Sequence, residues 1–114
     1  MDNMFGYCIA FKSLDLSSFN TKKVITMGGM FQDCHSLISL DLSSFDTIKV
    51  TKVYGMFSNC SSLTSLDLSS FNFEKVYNLL GIIIFSNCKS LKKENIKFNK
   101  NDRKIIQALY SLND

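Results

Sequence analysis

The chain contains no proline, no tryptophan and one histidine. That histidine, His35, directly follows Cys34. Neighbours in sequence do not make a nucleophile–base pair, because the two groups must meet in space with a third group to orient the base. No glycine-rich phosphate loop is present, and no carboxylate pair stands apart from the rest of the pattern. With these features missing, the chain is expected not to be an enzyme and to need no cofactor. The longest apolar run, Leu79 to Phe85, is far short of the roughly 20 residues of a membrane span. No membrane insertion is expected. The opening Met1-Asp2-Asn3 has neither a basic region nor an apolar one, so no secretory signal is expected in this chain.

Charge is also scarce. Charged residues make up 20% of the 114, apolar residues 46%, and phenylalanine occurs ten times. Such a chain has a core and is not disordered. The net charge of +3 is unevenly placed. Residues 1–88 hold six lysines against seven acids, while residues 89–114 hold seven basic residues against three acidic ones. A basic tail can attract an anionic surface, but a solvated helix face explains it more simply. No nucleic-acid partner is expected.

What is abundant is repetition. Ser13-Leu14-Asp15-Leu16-Ser17-Ser18-Phe19 returns at Ser39–Phe45 and at Ser65–Phe71, 26 residues apart each time. A fixed period of this length marks a repeat architecture, in which each unit buries its apolar face on its neighbours. Columns of equivalent residues follow. They include Phe5, Phe31, Phe57 and Phe85; Cys8, Cys34, Cys60 and Cys88; Phe11, Leu37, Leu63 and Leu91; and Val24, Val50 and Val76. Met4, Met30 and Met56 form another, with Ile84 in the fourth place. The last interval is 28, which places two extra residues within 77–84.

Leu37-x-x-Leu40-x-Leu42 has period two at its end and predicts a short strand. Ser43 to Thr47 is turn-like. Val50-x-x-Val53-x-x-Met56-Phe57 has period three, which fits either an extended or a 3₁₀/helical piece. Stacked units should form parallel ladders about 4.8 Å apart. After Leu91 the pattern decays. Residues 105, 106, 109 and 112 then place Ile105, Ile106, Leu109 and Leu112 on one helical face, after the cap-like Asn99-Lys100-Asn101-Asp102. The expected division is a repeat unit over 1–98, its last coil degenerate from about 89, and a capping helix over 99–114. The chain opens in mid-unit, with no cap before Met1. That end is expected to be a fragment boundary or to self-associate.

The pattern Leu-x-Ser-Leu-Asp-Leu-Ser-Ser-Phe-Asp/Asn-Thr, followed by Val-x-x-Met/Val-x-x-Met-Phe-x-x-Cys-x-Ser-Leu, resembles the BspA-like leucine-rich repeat family over about residues 1–91. The resemblance implies an α/β repeat solenoid: a right-handed leucine-rich-repeat coil of about 3.5 units with a parallel β ladder and a C-terminal capping α-helix. It also implies a cell-surface or secreted adhesion protein. The chain shows no export signal or anchor, so a cytoplasmic location stays open.

Three sets of residues are candidates for function. The cysteines are too far apart for the close ligand pairs of a zinc site. A disulfide needs Cβ atoms about 3.8 Å apart, closer than stacked equivalents, so buried reduced thiols are expected. Lys23, Lys49 and Lys75 fall in register and read best as a solvated row. Asp15, Asp41 and Asp67 sit between inward leucines, so they point outward, flanked by Ser17, Ser43 and Ser69. Like charges so close are unfavourable, and folding gives no evident reason for them. They read as a docking strip for a basic protein partner, as a weak cation site, or as a solvated face. No metal is expected. The function expected is a non-enzymatic protein-interaction or adhesion module. The alternatives are a structural repeat cassette of a larger surface protein and a cytosolic effector or regulator.

Overall fold

The second and third repeats are each built on two tight turns that need a residue in the left-handed region. The computed structural model describes residues 1–7, 10–77, 79 and 84–110. In the second repeat the Met30 amide donates to the Met27 carbonyl across Gly29, at φ 63°. The Cys34 amide donates to the Phe31 carbonyl across Asp33, also at φ 63°. Gly55 and Asn59 take the same places in the third repeat, at φ 66° and 62°. Glycine, asparagine and aspartate tolerate this region best. A Cβ at Gly29 would also collide with the Asn3 side chain.

Between these turns the backbone points its amides at the next repeat. Met27, Gly29, Phe31 and Asp33 donate to the carbonyls of Lys52, Tyr54, Met56 and Ser58, all at 2.8–2.9 Å. Asn3, Phe5 and Tyr7 do the same to Gly28, Met30 and Gln32. Two further columns run in the opposite sense. Thr51 donates to Ile25 and Tyr77 to Thr51, while Ile38 donates to Lys12 and Thr64 to Ile38.

Regular secondary structure is sparse among the described residues. Strand β1 is Leu66–Leu68 and strand β2 is Ile96–Phe98. They pair in parallel, with Leu66 opposite Ile96 and Leu68 opposite Phe98. A 3₁₀ turn at Lys93–Asn95 precedes β2, and helix α1 is Arg103–Tyr110. One isolated parallel bridge joins Thr26 and Lys52.

The expected leucine-rich-repeat solenoid, with a parallel β ladder through about 3.5 units, is therefore not formed. The molecule is a small globule with a radius of gyration of 12.6 Å, close to the ~13 Å of a compact domain this long. Side chains supply the reason. The segments equivalent to β1 end at Leu16 and Leu42, and the hydroxyls of Ser44 and Ser70 donate to those two carbonyls at 3.0 Å. The turn amides of Phe19, Phe45 and Phe71 reach the Leu16, Leu42 and Leu68 carbonyls alike, so the serine hydroxyls are what set the first two segments apart from β1.

The core is continuous from Leu16 to Leu109. Its axis is a file of rings in which Phe5, Phe31, Phe57 and Phe85 follow one another at centroid spacings of 5.7, 5.7 and 5.8 Å, nearly parallel. Phe45 and Phe71 stack in a second file at 6.0 Å. Helix α1 buries Ile105, Ala108 and Leu109. Asp102 holds its first turn: Oδ1 accepts from the Lys104 amide and Oδ2 from the Phe73 amide. Cys8, Leu112 and the position of the two extra residues within 77–84 lie outside the described residues.

Candidate functional site

Asp15, Asp41 and Asp67 are exposed, each between two residues that turn inward. Oδ1 of each accepts the amide of the serine two residues on, Ser17 at 3.0 Å, Ser43 at 3.0 Å and Ser69 at 2.9 Å. Ser17 Oγ also donates to Asp15 Oδ1 at 2.7 Å. These are Asx turns, in which a short carboxylate mimics a backbone acceptor. Folding thus gives each aspartate a local task that the sequence reading did not assign.

The same bonds hold the carboxylates ionised. Each pKa lies below the ordinary value, first through the serine hydroxyl and then through the serine amide. Asp15 and Asp67 push the middle carboxylate, Asp41, slightly back up. Lys97, opposite Asp67 in the β1–β2 pair, lowers Asp67 further. Among the described residues, no group of three or more His, Cys, Asp or Glu is arranged to hold a metal ion.

The other candidates are placed as follows. Lys23, Lys49 and Lys75 are all exposed. Cys34 and Cys60 are buried and Cys88 is half-buried. Each donates to a phenylalanine carbonyl of the preceding repeat: Cys34 to Phe5, Cys60 to Phe31 and Cys88 to Phe57, at 3.0–3.1 Å. Burial pushes the Cys60 thiol far up and Cys88 to about 11, the opposite of an activated nucleophile. His35 is exposed and its Nε2 lies 4.0 Å from Asp33 Oδ1.

Two polar ladders went unnoticed in the sequence. Buried Thr21 and Thr47 tie repeats together through hydroxyls that both donate and accept. Asn87 donates to Asn59 at 2.9 Å and Asn59 to Asp33 at 2.6 Å. The signal for both was present, since each set recurs at repeat spacing. An open cleft of about 390 Å³ lies beside the start of α1, between Asn72, Glu74, Asn99 and Arg103. Lys104 Nζ is tied there to the carbonyls of Glu74 and Val76.

The fold and the file describe a small, turn-built repeat protein with an acidic, serine-flanked row. A family model described as "Mycoplasma protein of unknown function, DUF285" matches residues 1–111, and the chain belongs to that family. This corrects the resemblance to BspA-like leucine-rich repeats. In the string that carried it, Leu16, Leu40, Leu42, Leu66 and Leu68 fill the core, while the aspartates and serines make turns. No curated protein matches the chain, and no solved structure does.

Proposed function

We propose that the chain is a non-enzymatic protein-binding module and that the Asp15–Asp41–Asp67 row, with Ser17, Ser43 and Ser69, receives a basic partner. One observation carries this. Three exposed carboxylates recur at one place in successive repeats, and each is held ionised by its own serine. Among the described residues only Oδ1 of each is bonded within the chain. A row of this kind steers and orients a cationic surface. Adhesion rested on the corrected resemblance and is not part of the proposal.

The test uses a hexalysine peptide, followed by fluorescence anisotropy. The chain carries a net charge of +3, so binding of a polycation reports the local row and not the overall charge. Wild-type protein is expected to bind, and to lose binding as salt rises toward about 1 M, where the Debye length falls to ~3 Å. The triple variant Asp15→Asn, Asp41→Asn, Asp67→Asn keeps an acceptor for each serine amide while removing the charge. It should stay folded and fail to bind. A folded triple variant that binds as wild type does overturns the proposal.

A further inference from the structure

One side of the molecule carries lysines in register. In three successive repeats a turn is closed by a valine amide: Val24 donates to the Thr21 carbonyl, Val50 to Thr47 and Val76 to Phe73, each at 3.0 Å. Val50 and Val76 are buried, and Val24 packs partly buried against the core. The residue before each valine, Lys23, Lys49 or Lys75, stands exposed at the tip of its turn. Just past the turns the repeats are joined in register, since Thr51 donates to the Ile25 carbonyl and Tyr77 to that of Thr51, at 2.8 and 2.9 Å. The three ammonium groups thus form a row with a spacing of one repeat.

Helix α1 extends the row. Lys104 Nζ is held on the carbonyls of Glu74 and Val76, on either side of Lys75. Among the described residues none of these lysines is ion-paired. Asp2 and Asp46 turn an oxygen back to the amides of Gly28 and Ile48, which leaves Glu74 exposed beside Lys75. Two rings stand among the charges. Lys52-Val53-Tyr54 and Lys75-Val76-Tyr77 repeat one triplet, with the valine buried and its neighbours exposed. Tyr54 is 74% exposed and Tyr77 67%, and neither belongs to the core.

We infer that this side binds single-stranded nucleic acid, with the lysine row on the phosphates and Tyr54 and Tyr77 stacked on bases. Composition gave no reason to expect such a partner, because a net charge of +3 hides the local row. A periodic line of cations with planar rings beside it matches a polymer that carries one anion and one planar ring per unit. An acidic peptide supplies the charges without the rings. A bilayer supplies anions without a line to match the spacing. A duplex keeps its base faces stacked away from side chains. The row lies at other positions of the repeat than Asp15, Asp41 and Asp67, and is independent of them.

Fluorescence anisotropy of the full chain with a labelled single-stranded thymidine 12-mer tests the inference. Saturable binding is expected. With four phosphates neutralised, affinity should fall about fifty-fold between 50 and 200 mM salt. The triple variant Lys23→Gln, Lys49→Gln, Lys75→Gln, all at exposed turn tips, should bind more weakly and reduce that fall to about threefold. Tyr54→Ala combined with Tyr77→Ala should weaken binding by about tenfold or more and leave the salt dependence unchanged. An abasic 12-mer, equal in phosphates, should bind weakly and not respond to the tyrosine change. No binding of the thymidine strand overturns the inference. So does equal binding of the abasic strand, or a tyrosine variant that binds as wild type does. Tighter binding of a polyglutamate 12-mer or of phosphatidylserine vesicles also overturns it, because the partner would then be a different polyanion.

Discussion

The Thr47 hydroxyl donates to the Asn72 carbonyl at 3.1 Å and accepts the Asn72 amide at 2.7 Å. One side chain thereby satisfies both backbone groups of a residue in the next repeat. Thr21 does the same for Asp46, at 3.0 and 2.8 Å. Thr47 is buried, so its hydroxyl is not readily replaced by water. Thr47→Val keeps the shape and removes both bonds. It is expected to cost about 2 kcal/mol, within the range for leaving a polar group unpaired. Thr47→Ser should cost less than half as much. Urea denaturation at neutral pH measures both.

Phe57 sits between two rings, at 5.7 Å from Phe31 and 5.8 Å from Phe85. Phe57→Ala loses both contacts and opens a cavity, for an expected cost of about 3–5 kcal/mol. Phe5→Ala, at the half-buried end of the same file, should cost clearly less. Equal losses in equilibrium denaturation would show that the stack does not act as a file.

Cys60 and Cys88 should be chemically quiet in the folded chain. Burial raises Cys60 most strongly and sets Cys88 near 11, so little thiolate exists at pH 8. Alkylation of Cys60 is expected to be slower than that of Cys88, and both slower than in denaturant, where all four cysteines should react. Mass mapping after timed iodoacetamide labelling reads this. Fewer than four reactive thiols in reduced-free denaturant would indicate a disulfide.

Acid should loosen the molecule through the aspartate row. Asp15, Asp41 and Asp67 have folded pKa values below 3.8, the ordinary value. The unfolded chain therefore takes up protons first as pH falls. Their contribution is fully present above about pH 5 and is lost as pH drops through 3.8 and below. The urea midpoint should fall in that window. In the triple Asp→Asn variant the fall should be shallower.

Much of this was legible from spacing. The period of 26 identified Phe5, Phe31, Phe57 and Phe85 as one column, and they stack as one. It did not reveal how the repeats are joined. Leu-x-Leu spacing suggested a strand in every unit, yet among the described residues only Leu66–Leu68 pairs regularly, with Ile96–Phe98. Elsewhere Ser44 and Ser70 take the carbonyls at Leu16 and Leu42, and a serine two positions past a leucine reads only as a turn residue. Asp15, Asp41 and Asp67 were correctly placed outward but judged unnecessary for folding. The missing step was the Asp-x-Ser pattern, which is an Asx-turn signal. Thr21 and Thr47 were passed over because a threonine carries no sign of burial when its partner is a backbone group in another repeat.

Phe73 stands where Thr21 and Thr47 stand in the earlier repeats, and it has no hydroxyl to hand on. Its ring is buried, and its amide goes to Asp102 at the start of α1. A threonine there would keep asking for another repeat, whereas a phenylalanine answered by a carboxylate asks for none. At this position, then, the third repeat is closed by a carboxylate from the start of α1 where the first two use a threonine.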